Sequence, residues 1–507
     1  MTAVARVDDG TPVSPPAPWY IEHRPFLVAL GLGVLVRLLL HLAFSTAFNF
    51  SDGPTYLRFI HNFRLSHVRP AGYPLLVVYP LSLLSKKVIY IAVLQHLMGL
   101  ATAVVLYALM RRWAVGSTVA VLATLPVLFD GMQLSLEHSV LSDTLFELLL
   151  VLAIAALGWN RRPTVGLALT AGLLFGVCVT VRLVGEPLIL SGVGYCLLRG
   201  GRWRERVVTA AVLAAGFAVP LAAYATWYHT QHGVYAIAQF TGKSLYLRTT
   251  SFVECSRLSI PKYQRVLCPR EPVGQRLDPT WYVWHSLETI PSLRPPPGVT
   301  KNEAIGEFAR AAIKAQPLDY IRTVLRDFAL NFDVKRVDRF EYDTAYKWRL
   351  AHFVVSPPTP RTVESYRHHG GDQLHVREPL GQVMALYGAV VYLPGPLLFG
   401  CLVLGLVGGF GVGQARDSGM RSICLLTSIT GAGLLLLPDI TQEFVWRYQL
   451  PGVALLPLSA ALAHTALGGD LEKAARRLWR GRSGTGSDDE GSDDGNVGLV
   501  ASPDAES

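Results

Sequence analysis

An all-α polytopic membrane protein is predicted from this sequence on three observations. Of its 507 residues, 51% are hydrophobic and only 16% charged, a balance foreign to ordinary soluble enzymes. Apolar runs approaching the roughly 20 residues that cross a bilayer recur along the chain. Basic residues gather in alternate gaps between those runs, as the positive-inside rule requires.

The runs lie at 26–47, 88–110, 117–128, 140–157, 164–183, 187–198, 207–227, 387–409, 423–437 and 450–467, which makes about ten transmembrane helices. The basic clusters are Arg111 with Arg112, Arg161 with Arg162, RGGRWRER from Arg199, Arg416 with Arg421, and EKAARRLWRGR ending at Arg482. Placing all of them in the cytoplasm puts both termini there too. The formal charge of +9 then reflects orientation in the membrane, and no globular basic domain supports a nucleic-acid partner. The first run lacks a small-residue cleavage site after a short apolar core, so it is expected to remain as a helix.

This pattern divides the chain into five parts. Residues 1–25 are a Pro-bearing, disordered cytoplasmic start. Residues 26–227 hold spans one to seven and the first outer loop, 48–86. Residues 228–386 form a large extracytoplasmic loop or small domain between spans seven and eight. Residues 387–468 hold spans eight to ten. Residues 469–507, basic and then acidic and rich in Gly and Ser, are a disordered cytoplasmic tail. Cys255 and Cys268 stand in the large loop, whereas the other four cysteines fall inside spans. On an oxidising face the two can pair, with two free thiols as the alternative. In the same loop, TKNEAIGEFARAAIKAQPLDYIRTVLRDFALNF has helical apolar spacing broken by Pro317. No repeat of fixed period occurs.

Ionisable residues concentrate at the outer ends of the spans. NFSDGPTYLRF places Asp52, Tyr56 and Phe59 just beyond span one. The simpler reading is a helix cap: Ser51 or Asp52 starts a short helix, Pro54 occupies its first turn, and the aromatic residues rest at headgroup level. RPAGYPLLVVYPLSLLSKK, broken by prolines, is expected to form a helix in the interface. LEHSVLSDTLFELLL brings Glu137, His138 and Asp143 to the mouth of span four, VTVRLVGEP brings Arg182 and Glu186, and DITQEFVWRYQLP brings Asp439, Glu443, Arg447 and Tyr448. Charges at such positions are costly and usually serve a site or a pathway. Arg37 and His41, one turn apart inside span one, need polar neighbours, and Asp143 or Glu137 could supply them.

The ordered set SDGPTYL, RPAGYPLL, EHSVLSDTLF, VRLVGEPLIL and WRYQLPGVALLPLSAAL resembles the lipid-linked-sugar glycosyltransferases of the GT-C superfamily, near the bacterial protein O-mannosyltransferases and aminoarabinose transferases. The likeness covers spans one to about six and returns at the last two. Two departures bear on sugar and acceptor: Pro70–Ala71 stands where paired prolines are common, and Glu137–His138 where Asp–Glu is common. What the resemblance implies is a GT-C-like fold with its site on the extracytoplasmic face. It also implies transfer of a sugar from a polyprenyl phosphate to an acceptor hydroxyl of a glycan, protein or lipid.

That chemistry needs a carboxylate to take the hydroxyl proton, and Asp52 is the candidate, its partial desolvation being expected to raise its pKa. It also needs cations for the phosphate. Arg182, Arg447 and Lys243 are the candidates, with an Arg447–Glu443 salt bridge and a snorkelling Arg182 as structural alternatives. Tyr56, Arg69, Glu137, His138, Asp143, Glu443 and Tyr448 complete the expected substrate-binding set. No cofactor is expected, no spaced His/Cys/Asp set suggests a metal site, and a divalent metal is left open. The main rival is a multi-pass transporter or lipid flippase, which would favour inverted repeats and midplane polar groups. A scaffold that binds envelope components through the large loop is a third reading.

Overall fold

The computed structural model describes residues 19–286, 289–338, 345–355, 359–369, 373–412 and 419–483. Most of the expected disordered start, the acidic end of the tail and Arg416 lie outside these residues. Helix α1 (Trp19–Ala43) opens the bundle. The first loop then holds α2 (Gly53–Asn62), a π-helical turn at Pro74–Val78, and α3 (Tyr79–Leu84). There follow α4 (Ile89–Arg112), α5 (Ser117–Phe129), α6 (Gly131–Glu137), α7 (Asp143–Gly158), α8 (Val165–Val181), α9 (Leu188–Leu198) and α10 (Trp203–His232). The long connection carries α11 (Thr241–Thr250), α12 (Thr289–Ser292), α13 (Lys301–Ala315), α14 (Pro317–Leu330), α15 (Leu350–Val355) and α16 (Pro360–His368). The C-terminal part is α17 (Leu380–Val390), α18 (Gly395–Phe410), α19 (Arg421–Thr441) and α20 (Leu450–Ser483). Apart from two isolated bridges, Phe44 with Val376 and Phe48 with Ser139, no β-structure occurs among the described residues.

This is a helical membrane protein. Five helical segments are long and apolar enough to span: Tyr20–Ala43, Ile89–Arg112, Trp203–His232, Arg421–Thr441 and Trp446–Gly468. Two pairs, α5 with α6 and α17 with α18, bend by 53° and 46° and raise the number to seven if each is one span. The expectation of about ten adds α7, α8 and α9, which have 16, 17 and 11 residues and so fall short of the usual span length. Two boundaries differ from expectation. The first helix begins at Trp19 instead of residue 26, and the last continues through Ser483 instead of stopping at 468. The run LEKAARRLWR beyond Gly468 is rich in strong helix formers, which favour continuing the helix.

The main core runs through the bundle from Phe26 to Leu467. Its tightest pairing is α8 against α10, and the cause lies in two glycines one turn apart, Gly172 and Gly176. A Cβ at Gly172 would overlap the Leu213 carbonyl oxygen, and one at Gly176 the Phe217 carbonyl oxygen. Small residues at this spacing let two backbones meet where lipid offers no hydrophobic drive.

The long connection divides in two by packing. Residues between Phe240 and Ala312 build a core of their own around Tyr246, Val253, Phe308 and Ala312, and Cys255 is bonded to Cys268 there. Thr300 and Glu303 form a reciprocal capping box that starts α13, and Pro317 opens α14. From α14 onward the chain packs back on the bundle. Asp327 of α14 pairs with the buried Arg248 at 2.8 Å, while Leu318, Ile321 and Leu325 stay exposed on its other side, the pattern of a helix lying at a membrane surface. Further on, Leu350, Phe353 and Met384 pack against Leu40, Phe44 and Leu134.

Asp130, at the α5–α6 bend, anchors this return. Its carboxylate accepts a fork from Arg336, both bonds 2.9 Å, together with the backbone N–H of Met132 and of Leu393. Asp130→Ala is expected to cost about 3 kcal/mol or more, because it strands the Arg336 guanidinium. Gly176→Val is expected to cost about 1–3 kcal/mol by forcing α8 from α10. Thermal unfolding in detergent measures both.

Candidate functional site

The first loop, the α7 and α8 ends and the last span converge on one cavity of about 220 Å3. The loop reaches it because Ser51 takes a left-handed backbone conformation, φ 53°, just before α2. Asp52 precedes that helix, yet its side chain makes no capping bond. Its Oδ1 instead accepts from Arg69 Nε at 2.8 Å and its Oδ2 from Arg447 Nη2 at 3.0 Å. The capping reading holds in position only: Asp52 precedes α2 and Pro54 sits in its first turn, but no side-chain cap forms, and Tyr56 and Phe59 are buried in protein.

The expected rise in the Asp52 pKa is also corrected. Burial pushes the carboxyl up, but Arg69 and Arg447 outweigh it and hold the group well below the usual carboxylate range. Paired cations stabilise the charged form more than desolvation penalises it. Tyr56 shifts the other way, raised to about 12 by burial and then by the Asp52 charge; its hydroxyl donates to Ser142 Oγ at 3.2 Å.

Across the cavity, Asp143 Oδ1 pairs with Arg182 Nη1 at 2.7 Å. Arg182 and Arg447 both lie over the Tyr448 ring, 5.4 and 5.3 Å from its centroid, and Arg447 also faces Trp348 at 4.8 Å. These ring contacts hold two guanidiniums near one hollow without neutralising either. Three buried polar atoms on the lining residues have no hydrogen-bond partner: Arg447 Nε and Nη1, and Asp143 Oδ2. Such groups are costly unless a ligand satisfies them. Two nitrogens of Arg447 and one carboxylate oxygen of Asp143 are thereby left for a ligand.

Of the expected site residues, Asp52, Tyr56, Arg69, Asp143, Arg182, Arg447 and Tyr448 line this cavity. Four others do not. Glu137 is fully buried beneath it, taken up by Arg37 at 2.7 and 2.8 Å and by His96 at 2.7 Å. His138 contacts His96 and the Thr46 carbonyl. Neither lines the cavity expected to take the sugar: Arg37 in α1 is a buried charge that needs a counter-ion, and Gly99 leaves room for Glu137 to supply it, since a Cβ there would overlap the Glu137 carboxylate. Lys243 lies over the Trp284 ring at 5.9 Å, its pKa lowered by burial and then by Lys301. Glu443 is buried outside the lining, and the partner of Arg447 is Asp52. Ser142, Phe240, Ser244 and Gln442 line the cavity without having been expected; Ser142 stands beside Asp143 in LSDTLF and Gln442 beside Glu443 in DITQEFVWRYQLP. No group of three or more His, Cys, Asp or Glu poised for a metal occurs among the described residues.

Residues 73–262 match the family model of glycosyltransferase family 87. The matched segment carries Asp143 and Arg182 but not Asp52, Arg69 or Arg447. No curated protein matches the chain. Among solved structures it is similar to the oligosaccharyltransferase AglB of Archaeoglobus fulgidus in complex with an inhibitory peptide and a dolichol-phosphate. That match has 14% identity and a TM-score of 0.42, over 93% of this chain and 53% of the other. It is also similar to ArnT from Cupriavidus metallidurans bound to undecaprenyl phosphate, with 13% identity and a TM-score of 0.34, over 89% of this chain and 79% of that one. The chain thus spans about half the length of the oligosaccharyltransferase it matches.

Glu137→Gln is expected to lower stability by about 3–5 kcal/mol by leaving Arg37 buried and uncompensated, and Arg37→Met in the same chain is expected to restore part of it. Paired thermal-unfolding curves of the single and double variants check this.

Proposed function

We propose that the protein is a membrane glycosyltransferase that moves a sugar from a polyprenyl phosphate to an acceptor hydroxyl on the extracytoplasmic face, with Asp52 as general base. The observation that carries this reading is three carboxylates, Asp52, Asp143 and Glu186, and three arginines, Arg69, Arg182 and Arg447, on the wall of a single cavity. The glycosyltransferase match over residues 73–262 and the ordered sequence motifs support it.

The acceptor oxygen bonds to the anomeric carbon, and the bond from that carbon to the phosphate oxygen breaks. The electron pair leaves with the polyprenyl phosphate, and the hydroxyl proton passes to Asp52. The leaving group is stable as an anion, so the second carboxylic acid of a glycosidase is dispensable. Cations are needed in its place, and planar guanidiniums suit phosphate best.

An Asp52 clamped by two arginines is a weak base, and the donor relieves the clamp. Arg447 already holds Nε and Nη1 free. As its guanidinium and that of Arg69 turn to the phosphate, Asp52 loses charge partners and its proton affinity rises. The base is thereby armed only when the donor is present. The free Oδ2 of Asp143 receives a hydroxyl of the sugar or the acceptor.

Asp52→Asn in the purified protein is expected to lower transfer from a radiolabelled polyprenyl-phosphate sugar by about 10²–10⁴-fold with donor binding retained. Arg447→Lys keeps the charge but loses the fork and is expected to weaken donor binding. Full transfer by Asp52→Asn removes the base assignment. Absence of transfer by the wild-type protein from every such donor, with the lipid still moved across the bilayer, would mark a flippase.

A further inference from the structure

A second cavity, of about 320 Å3, lies on α2 away from Asp52, between that helix and α16. Its wall carries Arg58, His61, Arg361, Ser365, His368 and His369. One acid joins them, Glu364, whose carboxylate lies 3.8 Å from His368 Nε2. His369 is 6% exposed, and its Nδ1 is buried without a hydrogen-bond partner. Burial, then the charges of His61 and Lys86, hold that imidazole down to about 4. Helix α16 is tied to α2 by Arg361, which donates to Thr55 Oγ1 at 3.3 Å, and to the segment before α2 by Tyr366 Oη, which donates to the Ala47 carbonyl at 2.6 Å.

What would fill it is told by its surroundings. Lys86 follows the end of α3, where Leu83 and Leu84 are 69% and 84% exposed. Exposed leucines followed at once by cations are the signature of a helix seated at a lipid surface. A hollow lined by arginine and imidazole donors beside that surface matches a phosphate in charge, donor count and size. We propose that the α2–α16 cavity binds the phosphate headgroup of an anionic membrane lipid. Arg58 and Arg361 supply charge and forked donors, and His369 Nδ1 supplies a buried one. The lipid braces α2, the helix that Asp52 precedes. This site does not depend on the transfer reaction.

Native mass spectrometry of the full-length protein tests it, with phosphatidylglycerol, phosphatidylcholine and inorganic phosphate titrated separately. The wild type is expected to retain one phosphatidylglycerol in preference to phosphatidylcholine. The double variant Arg58→Gln/Arg361→Gln, at exposed positions, is expected to bind it roughly 30-fold more weakly. Ser365→Tyr, which fills the hollow without changing its charge, is expected to bind it more weakly as well. Undiminished binding by the double variant, or equal retention of phosphatidylcholine, overturns the proposal. Saturation by inorganic phosphate at the same concentration as the lipid overturns it too, leaving a bare anion site.

Discussion

The pairing of Asp52 with Arg69 and Arg447 joins the beginning of the chain to its end, across 395 positions of sequence. A carboxylate buried at 8% exposure would be neutral or absent without such partners, because desolvation of an isolated charge costs far more than folding can supply. Two guanidiniums solve that problem and create another, since they make the acid strong. The rest of the site is arranged around this bridge: Tyr448 holds Arg447 and Arg182 on its ring, and Asp143 holds Arg182 in turn. A loop of 48–86 that is mostly turns and short helices is thereby fixed to the last span.

A second polar network lines neither of the two cavities. Arg37, Glu137, His96 and His138 are all nearly inaccessible, and each is satisfied by another. Buried charge pairs add little net stability, but breaking one is severe, so the network acts as a registry device. It sets α1, α4 and α6 against each other and so determines where the loop after α1 emerges. Asp130 does the same between the α5–α6 bend and the chain returning from the long connection. Specific polar contacts of this kind matter more in a membrane, where lipid gives helix association no hydrophobic drive.

The two cavities on either side of α2 differ in what they present. The inner one balances carboxylates and arginines around unsatisfied donors, as a site that must bind an anion and also take a proton would. The outer one sets two arginines and three imidazoles against one acid, Glu364, and lies beside exposed leucines. One short amphipathic helix, ten residues long, separates them, so events at the lipid surface and at the carboxylate share a wall.

The sequence by itself determined the helices and much of the site's membership. Apolar run length is a local property, so α1, α4, α10 and α19 were legible, as was the break at Pro317. Charges at span ends were legible too, since a costly residue in an apolar context stands out. That is why Asp52, Arg69, Asp143, Arg182, Arg447 and Tyr448 were singled out. Only the tertiary structure decided which charges meet. Glu137 and Asp143 sit six positions apart with the same local signal, yet one turns inward to Arg37 and the other faces the cavity. The choice depends on Gly99 clearing space in α4 and on Arg37 needing a counter-ion, neither of which is written near residue 137. The α2–α16 cavity was illegible for the same reason: its two walls are some three hundred residues apart in sequence, and a basic residue on a loop looks alike whether it faces water or its own kind.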